Sequence, residues 1–355
     1  MFANKWVFDE DHVPEDLVHR DAELSDLARS FAPTLRDEPA QNVLISGRSG
    51  VGKTVTTRRS LELLRNQAPI PTAQLQCLSY TKSDILRHIL DRYPGTASVS
   101  KGTPALDILA ELQRTIDRPY VIVLDEADSL PNLNLLGDLL QVRGISIVAV
   151  SHKPQTFLNR SSARVQEAFH NGQIQFDPYT VDELVSILSA RATHGLRPDS
   201  VDRSQLEAIA CAVDGAARHA IQSLRAAADI AIDNEHDTIA DADIDDGIVL
   251  AKQRIRRQKL RSLSYHHHVV YELIRSSPGS VVGSSALHDR YEAHADRLYR
   301  ARDQTSVSRR RRRQVLEKLE QYSLIRSTGS TRWKQYTAID PNVEAPIEHA
   351  VVIQS

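Results

Sequence analysis

An eight-residue glycine-rich segment, residues 47–54, constrains the fold of this chain more than any other stretch. Its sequence, Gly-Arg-Ser-Gly-Val-Gly-Lys-Thr, satisfies the pattern G-x-x-x-x-G-K-S/T, in which glycines let backbone amides surround phosphate groups. A short apolar run at residues 42–46 predicts a buried strand before it, and residues 54–65 carry apolar side chains at helical intervals after it. Because strand, loop and helix follow in the order that phosphate binding needs, the context argues against a chance match in a glycine turn.

The segment predicts a nucleotide-binding site. The N-terminus of the following helix adds a partial positive charge to the loop. Lys53 is expected to reach the β- and γ-phosphates, and the hydroxyl of Thr54 to bind Mg²⁺. The residues predicted to contact nucleotide here are Gly47, Arg48, Ser49, Gly50, Val51, Gly52, Lys53 and Thr54.

A second apolar run, residues 120–124, predicts a buried strand that ends in two acids, Asp125 and Glu126. Asp125 is expected to hold Mg²⁺, directly or through water, and Glu126 to polarise the attacking water. A solvated turn at the end of a strand is the alternative interpretation. The pairing with Lys53 favours an ATPase site.

Length and composition bound the class of protein. The chain has 355 residues, which is too long for one core and suits two or three domains. Its apolar runs have the length of short strands, so neither a membrane span nor an N-terminal signal segment is predicted. Its two cysteines, Cys77 and Cys211, cannot form a disulfide framework. These features predict a cytoplasmic protein with no membrane partner.

The net charge of −2 conceals an asymmetry along the chain. Residues 252–340 hold 20 Lys and Arg against 8 Asp and Glu, a net charge of +12, so the remainder carries −14. A basic C-terminal part on an acidic body predicts a polyanionic partner for that part, and nucleic acid is the first candidate.

Strands alternate with helices in the first half of the chain, which predicts an α/β fold with a mostly parallel sheet. From residue 180 onward the periodicity is helical only. Near the C-terminus, helices at 266–276, from 284 and at about 306–322 precede a hairpin at 326–337 with Gly329 at its tip, the order of a winged helix. The expected boundaries are 1–178 for the α/β base, 179–258 for the helical domain, 264–340 for the winged helix and 341–355 for a tail.

The predicted third helix of the winged helix begins with five consecutive arginines, residues 309–313. Five consecutive residues cover all sides of a helix, so some must face phosphates or the protein rather than base edges. A solvated helix face is the alternative for this run. The basic excess favours DNA contact, and the predicted contacts are Arg309, Arg310, Arg311, Arg312, Arg313, Arg332 and Lys334.

With these motifs in hand, the chain resembles the archaeal origin-recognition and helicase-loading initiators, the Orc1/Cdc6 family of AAA+ ATPases, from about residue 13 to 340. The more specific elements are Phe176-Asp-Pro-Tyr179, Asp182-Glu-Leu with Arg191, and Gly215-Ala-Ala-Arg218. The resemblance implies an AAA+ P-loop base with a helical lid and a winged helix. It also implies ATP or ADP with Mg²⁺ as cofactors, and origin duplex DNA, the replicative helicase and neighbouring initiator subunits as partners.

The resemblance also implies residue roles. Arg218 matches the lid arginine (sensor 2) that reaches the γ-phosphate, and Arg164, with Arg160 as a nearby alternative, matches the arginine finger that acts on a neighbouring subunit. His152 stands where the family places Asn (sensor 1). The implied catalytic set is Glu126, Asp125, Arg218, Arg164 and His152. The further nucleotide contacts are Tyr179, Arg191 and the backbone near Val13 and Pro14, with Tyr179, Val13 and Pro14 framing the adenine.

Two departures from the family pattern bear on activity. His152 replaces the expected Asn, and Ala216 replaces the acid of the Gly-Asp-x-Arg lid motif. They favour slow hydrolysis over rapid turnover. An ATP-dependent replication initiator is the leading hypothesis. A nucleotide-gated transcriptional or plasmid regulator of the same domain order and a transposition-type AAA+ ATPase remain open at this point.

Overall fold

The computed structural model describes residues 1–78, 80–130, 132–300, 304–330 and 333–347. They form two compact units, one from Met1 to Ile248 and the other starting at Val249.

The first unit is built on a five-stranded parallel sheet. Its strands are β1 (Val43–Gly47), β2 (Thr72–Gln76), β3 (Tyr120–Asp125), β4 (Ile145–Ser151) and β5 (Gln173–Phe176). They lie in the order β2-β3-β4-β1-β5, with every neighbouring pair parallel. In a parallel sheet all strands end at the same edge, so residues 47–54 after β1, Asp125 at the end of β3 and His152 after β4 meet there. The predicted parallel α/β fold is confirmed.

Helices cover both faces of this sheet. They are α1 (Asp21–Phe31), α2 (Lys53–Gln67), α3 (Lys82–Asp91), α4 (Ala105–Thr115), α5 (Asn134–Leu139), α6 (Pro154–Arg160) and α7 (Ala163–Ala168), and short 3-10 helices lie at Lys5–Phe8, Ala32–Arg36 and Ala127–Ser129. Along β3, Ile122 and Leu124 pack with α3, α4 and α5, whereas Val121 and Val123 pack with α1 and α2. This alternation buries the strand on both faces, as its continuous apolar sequence requires.

The predicted helical domain completes the first unit and is called the lid below. Its helices are α8 (Val181–Gly195), α9 (Arg203–Ala212), α10 (Ala217–Asp233) and the beginning of α11 (Asp241–Arg261), a helix whose residues from Val249 onward belong to the second unit. Thr180 with Glu183, and Asp202 with Gln205, form capping boxes that fix the starts of α8 and α9. The basic residues 254–261 belong to α11.

The second unit contains α12 (Tyr265–Arg275), α13 (Ser284–Tyr299) and α14 (Arg309–Gln321), a 3-10 helix at Pro278–Ser280, and strands β6 (Val281–Gly283), β7 (Ile325–Thr328) and β8 (Gln335–Ala338). The strands form an antiparallel sheet in the order β6-β8-β7. Val269, Leu273, Leu316 and Leu319 are buried between the elements. Three helices followed by a hairpin are consistent with the predicted winged helix.

The structure corrects the tail that the sequence predicted at residues 341–355. Val343 is fully buried, and the hydroxyl of Tyr271 on α12 donates to its carbonyl oxygen at 2.8 Å. The buried carboxylate of Glu272 accepts from the backbone amide of Ala345. Residues 341–347 therefore pack on the domain, and nothing in their sequence period signals it; residues 348–355 lie outside the described part.

Within the described residues, no helix has both the length and the apolar content that crossing a bilayer requires.

Candidate functional site

Residues 47–54, the loop between β1 and α2, are held close to the end of β5 and the start of the lid. Gly47 has φ 143°, and a side chain there would meet the carbonyl oxygen of Phe176 at 2.5 Å. Gly52 has φ 94°, and its Cβ would lie 2.7 Å from the hydroxyl of Tyr179. Only glycine fits these two positions, which leaves the backbone amides of the loop uncovered by side chains.

Lys53, the first residue of α2, is buried with its ammonium inside the curve of the loop. Its Nζ donates to the carbonyl oxygens of Gly47 at 2.8 Å and Arg48 at 2.6 Å. Burial lowers the pKa of Lys53 to about 8, although Asp125, Asp128 and Glu126 oppose the shift. The charge at the centre of the site therefore titrates near neutral pH.

We expect nucleotide affinity to fall as pH rises through 8, because only the protonated form of Lys53 attracts phosphate. If nucleotide binds that form alone, affinity should drop about tenfold between pH 7 and pH 9. Calorimetric titration of ATP across this range measures the effect. The variant Lys53→Met should bind weakly at every pH with a flat profile. Parallel profiles for the two proteins would contradict the prediction.

Thr54 and Asp125 come together as a pair of oxygen donors. The Thr54 hydroxyl donates to Oδ2 of Asp125 at 2.7 Å, and Oδ1 accepts from the backbone amide of Glu126 at 2.9 Å. A hydroxyl and a carboxylate are hard ligands of the kind Mg²⁺ takes, and Mg²⁺ usually completes its shell with water and phosphate oxygens. The described residues contain no cluster of three or more His, Cys, Asp or Glu side chains able to hold a metal alone. The pair fits a magnesium site that a nucleotide would complete.

Glu126 follows β3 in a left-handed conformation, with φ 54° and ψ 44°. A non-glycine residue held there costs on the order of 1 kcal/mol, and such strain clusters at active sites. The strained turn lies between the strand that carries Asp125 and the 3-10 helix that carries Asp128.

His152, directly after β4, lies against the loop. Its Nδ1 is 3.5 Å from Nζ of Lys53 and 3.3 Å from the carbonyl oxygen of Gly47. The first contact needs an unprotonated Nδ1 and the second a protonated one, so the two belong to different tautomers. Its backbone amide donates to Asp128 at 3.2 Å. The residue that replaces the expected Asn is thus within reach of the phosphate-binding lysine.

Arg218 lies in the first turn of α10 beside the loop. Its backbone amide donates to the carbonyl oxygen of Gly50 at 3.3 Å. Its guanidinium pairs with Glu10, whose Oε1 accepts from Nε at 2.8 Å and lies 2.6 Å from Nη2. The sequence prediction singled out the arginine and missed its acidic partner.

Arg20 is a second residue that sequence reasoning missed. It is buried, its Nε donates to the hydroxyl of Tyr179 at 2.9 Å, and its Nη2 donates to the carbonyl oxygens of Val51 and Asp177 at 2.9 and 2.7 Å. The hydroxyl of Tyr179 lies beside Arg20 and Gly52, and the predicted contact of Tyr179 with the adenine stays a prediction. Tyr179 and Arg20 therefore pack against the loop of residues 47–54.

The remaining predicted contacts lie around this centre. Arg191 donates to the carbonyl oxygen of Val7 at 2.6 Å. Val13 and Pro14 are half-buried. Arg48 pairs with Asp214, in the turn between α9 and α10 of the lid, and Ser49 is exposed. Arg164 is exposed and donates to the carbonyl oxygen of Leu140 at 3.2 Å. The nucleotide and subunit contacts of these residues stay predictions.

In the second unit, α14 presents four of its five arginines to solvent: Arg309, Arg310, Arg311 and Arg313. Arg312 corrects the prediction. Its side chain is 4% exposed, its Nη2 pairs with Glu292 at 2.6 Å, and its guanidinium lies 4.4 Å from the ring centre of Tyr291. It holds α13 and α14 together and is unavailable to DNA.

Arg332 and Lys334 are the two DNA contacts predicted in the wing. Lys334 lies 3.9 Å from Glu320 and over the ring of Tyr336. Arg332 lies outside the described residues. Both stay predictions.

Three consecutive histidines, His266, His267 and His268, lie at the start of α12. Each ring contacts a different group: His266 the hydroxyl of Tyr299, His267 the hydroxyl of Ser264, and His268 the carbonyl oxygen of Leu260. The three rings act as separate packing and hydrogen-bonding groups.

Comparison with known proteins decides the family. Residues 16–150 match the model of the AAA ATPase domain, and residues 185–248 match the model of the Cdc6 AAA+ ATPase-type lid domain. The chain is 29% identical to ORC1-type DNA replication protein 9 of Halobacterium salinarum over 332 residues, covering 92% of this chain and 91% of that protein. The chain belongs to the Orc1/Cdc6 family of AAA+ ATPases. A second Halobacterium salinarum relative of this family, ORC1-type DNA replication protein 1, is 28% identical and covers 84% of this chain and 96% of that protein.

Solved structures agree with the Orc1/Cdc6 assignment. The Aeropyrum pernix ORC1 protein, solved in complex with DNA, has a TM-score of 0.74 and 25% identity, covering 99% of this chain and 95% of that one. The Aeropyrum pernix ORC2 protein, in ADPNP-ADP complexes, shares the fold with a TM-score of 0.63 and 23% identity, covering 95% and 94%. The resemblance stated from the motifs, and the predicted order of base and lid, are confirmed.

Proposed function

We propose that this chain is an ATP-binding replication initiator that binds duplex DNA at an origin and helps to load the replicative helicase. One observation carries the proposal: an Orc1/Cdc6 chain unites a phosphate loop, with Lys53 and the Thr54–Asp125 pair in place, and a winged helix with exposed arginines on α14.

The nucleotide step uses the groups at the edge of the sheet. Lys53 exchanges the carbonyl oxygens of the loop for β- and γ-phosphate oxygens, which offer it a stronger, charge-assisted bond. Thr54 and Asp125 hold Mg²⁺, which neutralises charge on the phosphates when it is bound. Glu126 accepts a proton from the attacking water, and Arg218 contacts the terminal phosphate from the lid.

Hydrolysis is proposed to be slow because His152 replaces an amide near the water. An Asn side chain offers a donor and an acceptor together, whereas one imidazole nitrogen offers a single role at a time. Nδ1 of His152 is divided between Lys53 and Gly47. The water is therefore oriented less completely, and ATP acts more as a conformational ligand than as a fuel.

The DNA step uses the second unit. The four exposed arginines stand at the start of α14, whose buried side chains are Arg312, Val315, Leu316 and Leu319. This leaves the guanidinium groups of the exposed arginines toward solvent, where phosphates of a duplex can reach them. We assign most of them to phosphates and at most one or two to base edges.

Arg164 is assigned to the site of a neighbouring initiator subunit.

The names of the relatives favour replication over the two alternatives. The two Halobacterium salinarum relatives reported above are named DNA replication proteins. A pull-down of the replicative helicase with this chain tests the initiator directly. Helicase retained in the presence of ATP and DNA is the expected result. A chain that binds DNA and ATP but retains no helicase would fit a nucleotide-gated regulator instead.

A further inference from the structure

Three consecutive acids near the N-terminus, Asp9, Glu10 and Asp11, are called the acidic segment here. Each pairs with an arginine. Asp9 lies 2.7 Å from Arg225 and Glu10 lies 2.6 Å from Arg218, and both arginines belong to α10 of the lid. Asp11 lies 2.9 Å from Arg58 on α2, the helix that follows the phosphate loop. The segment thus contacts both the lid and the base.

The acidic segment is placed by the residues before it. Phe8 is fully buried in the lid core, where a side chain on Gly195 would collide with its ring. Gln222 donates to the carbonyl oxygen of Phe8 at 2.8 Å, and Arg191 donates to that of Val7. Because the backbone is fixed at residue 8, the side chain two positions later has a defined place beside α10.

Glu10 forms an ion pair with Arg218, the arginine that the proposed function assigns to the terminal phosphate. One oxygen of its carboxylate meets both Nε and Nη2 of Arg218. The backbone of Arg218 contacts Gly50, and a Cβ at Gly50 would lie 3.3 Å from the Cβ of Arg218. The carboxylate is therefore held beside the loop, where phosphate charge would be bound.

We propose that Glu10 sets the preference of the site between ATP and ADP by competing with the terminal phosphate for Arg218. This inference rests on the proposed nucleotide-binding function. A carboxylate on the Nε–Nη2 edge neutralises the guanidinium and blocks the edge best suited to two parallel hydrogen bonds. Because the proposed function assigns Arg218 to the terminal phosphate, which ADP lacks, the competition should weaken the binding of ATP and leave the binding of ADP unaffected.

The variant Glu10→Gln should tighten binding of the ATP analogue AMP-PNP by about two- to fivefold, the scale of a half-exposed ion pair. Affinity for ADP should stay within error of the wild type. Asp9→Asn is the matched control, because it removes one charge from the same segment and breaks a pair on the same helix, away from the loop. It should change neither affinity. Calorimetric titration with Mg²⁺ present gives all six dissociation constants.

A double-mutant cycle tests whether Glu10 acts through Arg218. In an Arg218→Gln background the substitution at Glu10 should lose its effect on AMP-PNP, giving a coupling equal to the effect of Glu10→Gln alone. A purely structural role for Glu10 would leave its effect in place there. Equal AMP-PNP affinities for Glu10→Gln and Asp9→Asn, or weaker binding by Glu10→Gln, would overturn the proposal.

Failure of this inference is distinguishable from failure of the proposed function. If the wild type binds AMP-PNP and Lys53→Met does not, the nucleotide site stands. An unchanged AMP-PNP affinity of Glu10→Gln would then overturn only the proposed competition between Glu10 and the terminal phosphate. If the wild type and Lys53→Met bind AMP-PNP equally, the nucleotide assignment falls and takes the competition with it.

Discussion

Replacing Glu126 by Gln should lower the rate of ATP hydrolysis by about 10²-fold or more, the usual contribution of a general base, while ATP binding is retained. The amide keeps the shape of the side chain but cannot accept a proton from water. The substitution leaves Lys53, which is proposed to contact the phosphates, and the Thr54–Asp125 pair unchanged. Single-turnover hydrolysis measures the rate, and calorimetry on the same preparation measures the affinity.

Glu62→Gln on α2 is the control for this substitution, because it removes a carboxylate from a surface ion pair with Arg59 in the same domain. It should hydrolyse ATP at the wild-type rate. Hydrolysis by Glu126→Gln at that rate would contradict the assignment and move the water-positioning role elsewhere. His152 would then be the next residue to test, because its ring lies 3.5 Å from Lys53.

Replacing Arg309, Arg310 and Arg313 together by Gln should weaken binding of the intact protein to duplex DNA by about 10²-fold at ~100 mM salt. Each lost phosphate contact removes about 0.9 from the slope of log affinity against log salt, so three contacts remove about 2.7. A residue that contacts a base edge would instead cost affinity for one sequence and little for random DNA. Titration across a salt series, on specific and random duplexes, separates these two kinds of contact.

A matched triple variant controls for net charge in this experiment. Arg29, Arg36 and Arg203 are exposed arginines of the first unit, and their replacement by Gln removes the same three charges. Its salt slope should follow the wild type. If the variant of α14 also follows the wild type, its arginines are a solvated face and the DNA-binding assignment loses its main support.

The parts of the molecule that sequence could predict are those with local signals. The strand at residues 120–124 and the loop at residues 47–54 carry their own patterns, and the shared edge of a parallel sheet brings Asp125 to Thr54. The burial of Arg312 also has a local signal, because Arg312 stands three, four and seven residues before Val315, Leu316 and Leu319. That spacing marks one buried helix face.

Arg20 and Glu10 could not be predicted in the same way. Arg20 lies 159 residues from Tyr179, and Glu10 lies 208 residues from Arg218. Neither residue belongs to a recognisable motif, and its role exists only once the chain has folded. For the same reason residues 341–347 resembled a tail, because the contacts of Val343 and Ala345 are with α12 and not with one another.

The central claim, that this chain starts replication at defined places, is tested most directly by crosslinking it to DNA in the cells it comes from and sequencing the bound fragments. Genome copy number is measured on the same culture. We expect a few discrete binding sites that coincide with maxima of genome copy number. The copy number should fall in both directions along the chromosome from each of these sites. Binding spread over promoters, with no enrichment at those maxima, would contradict it.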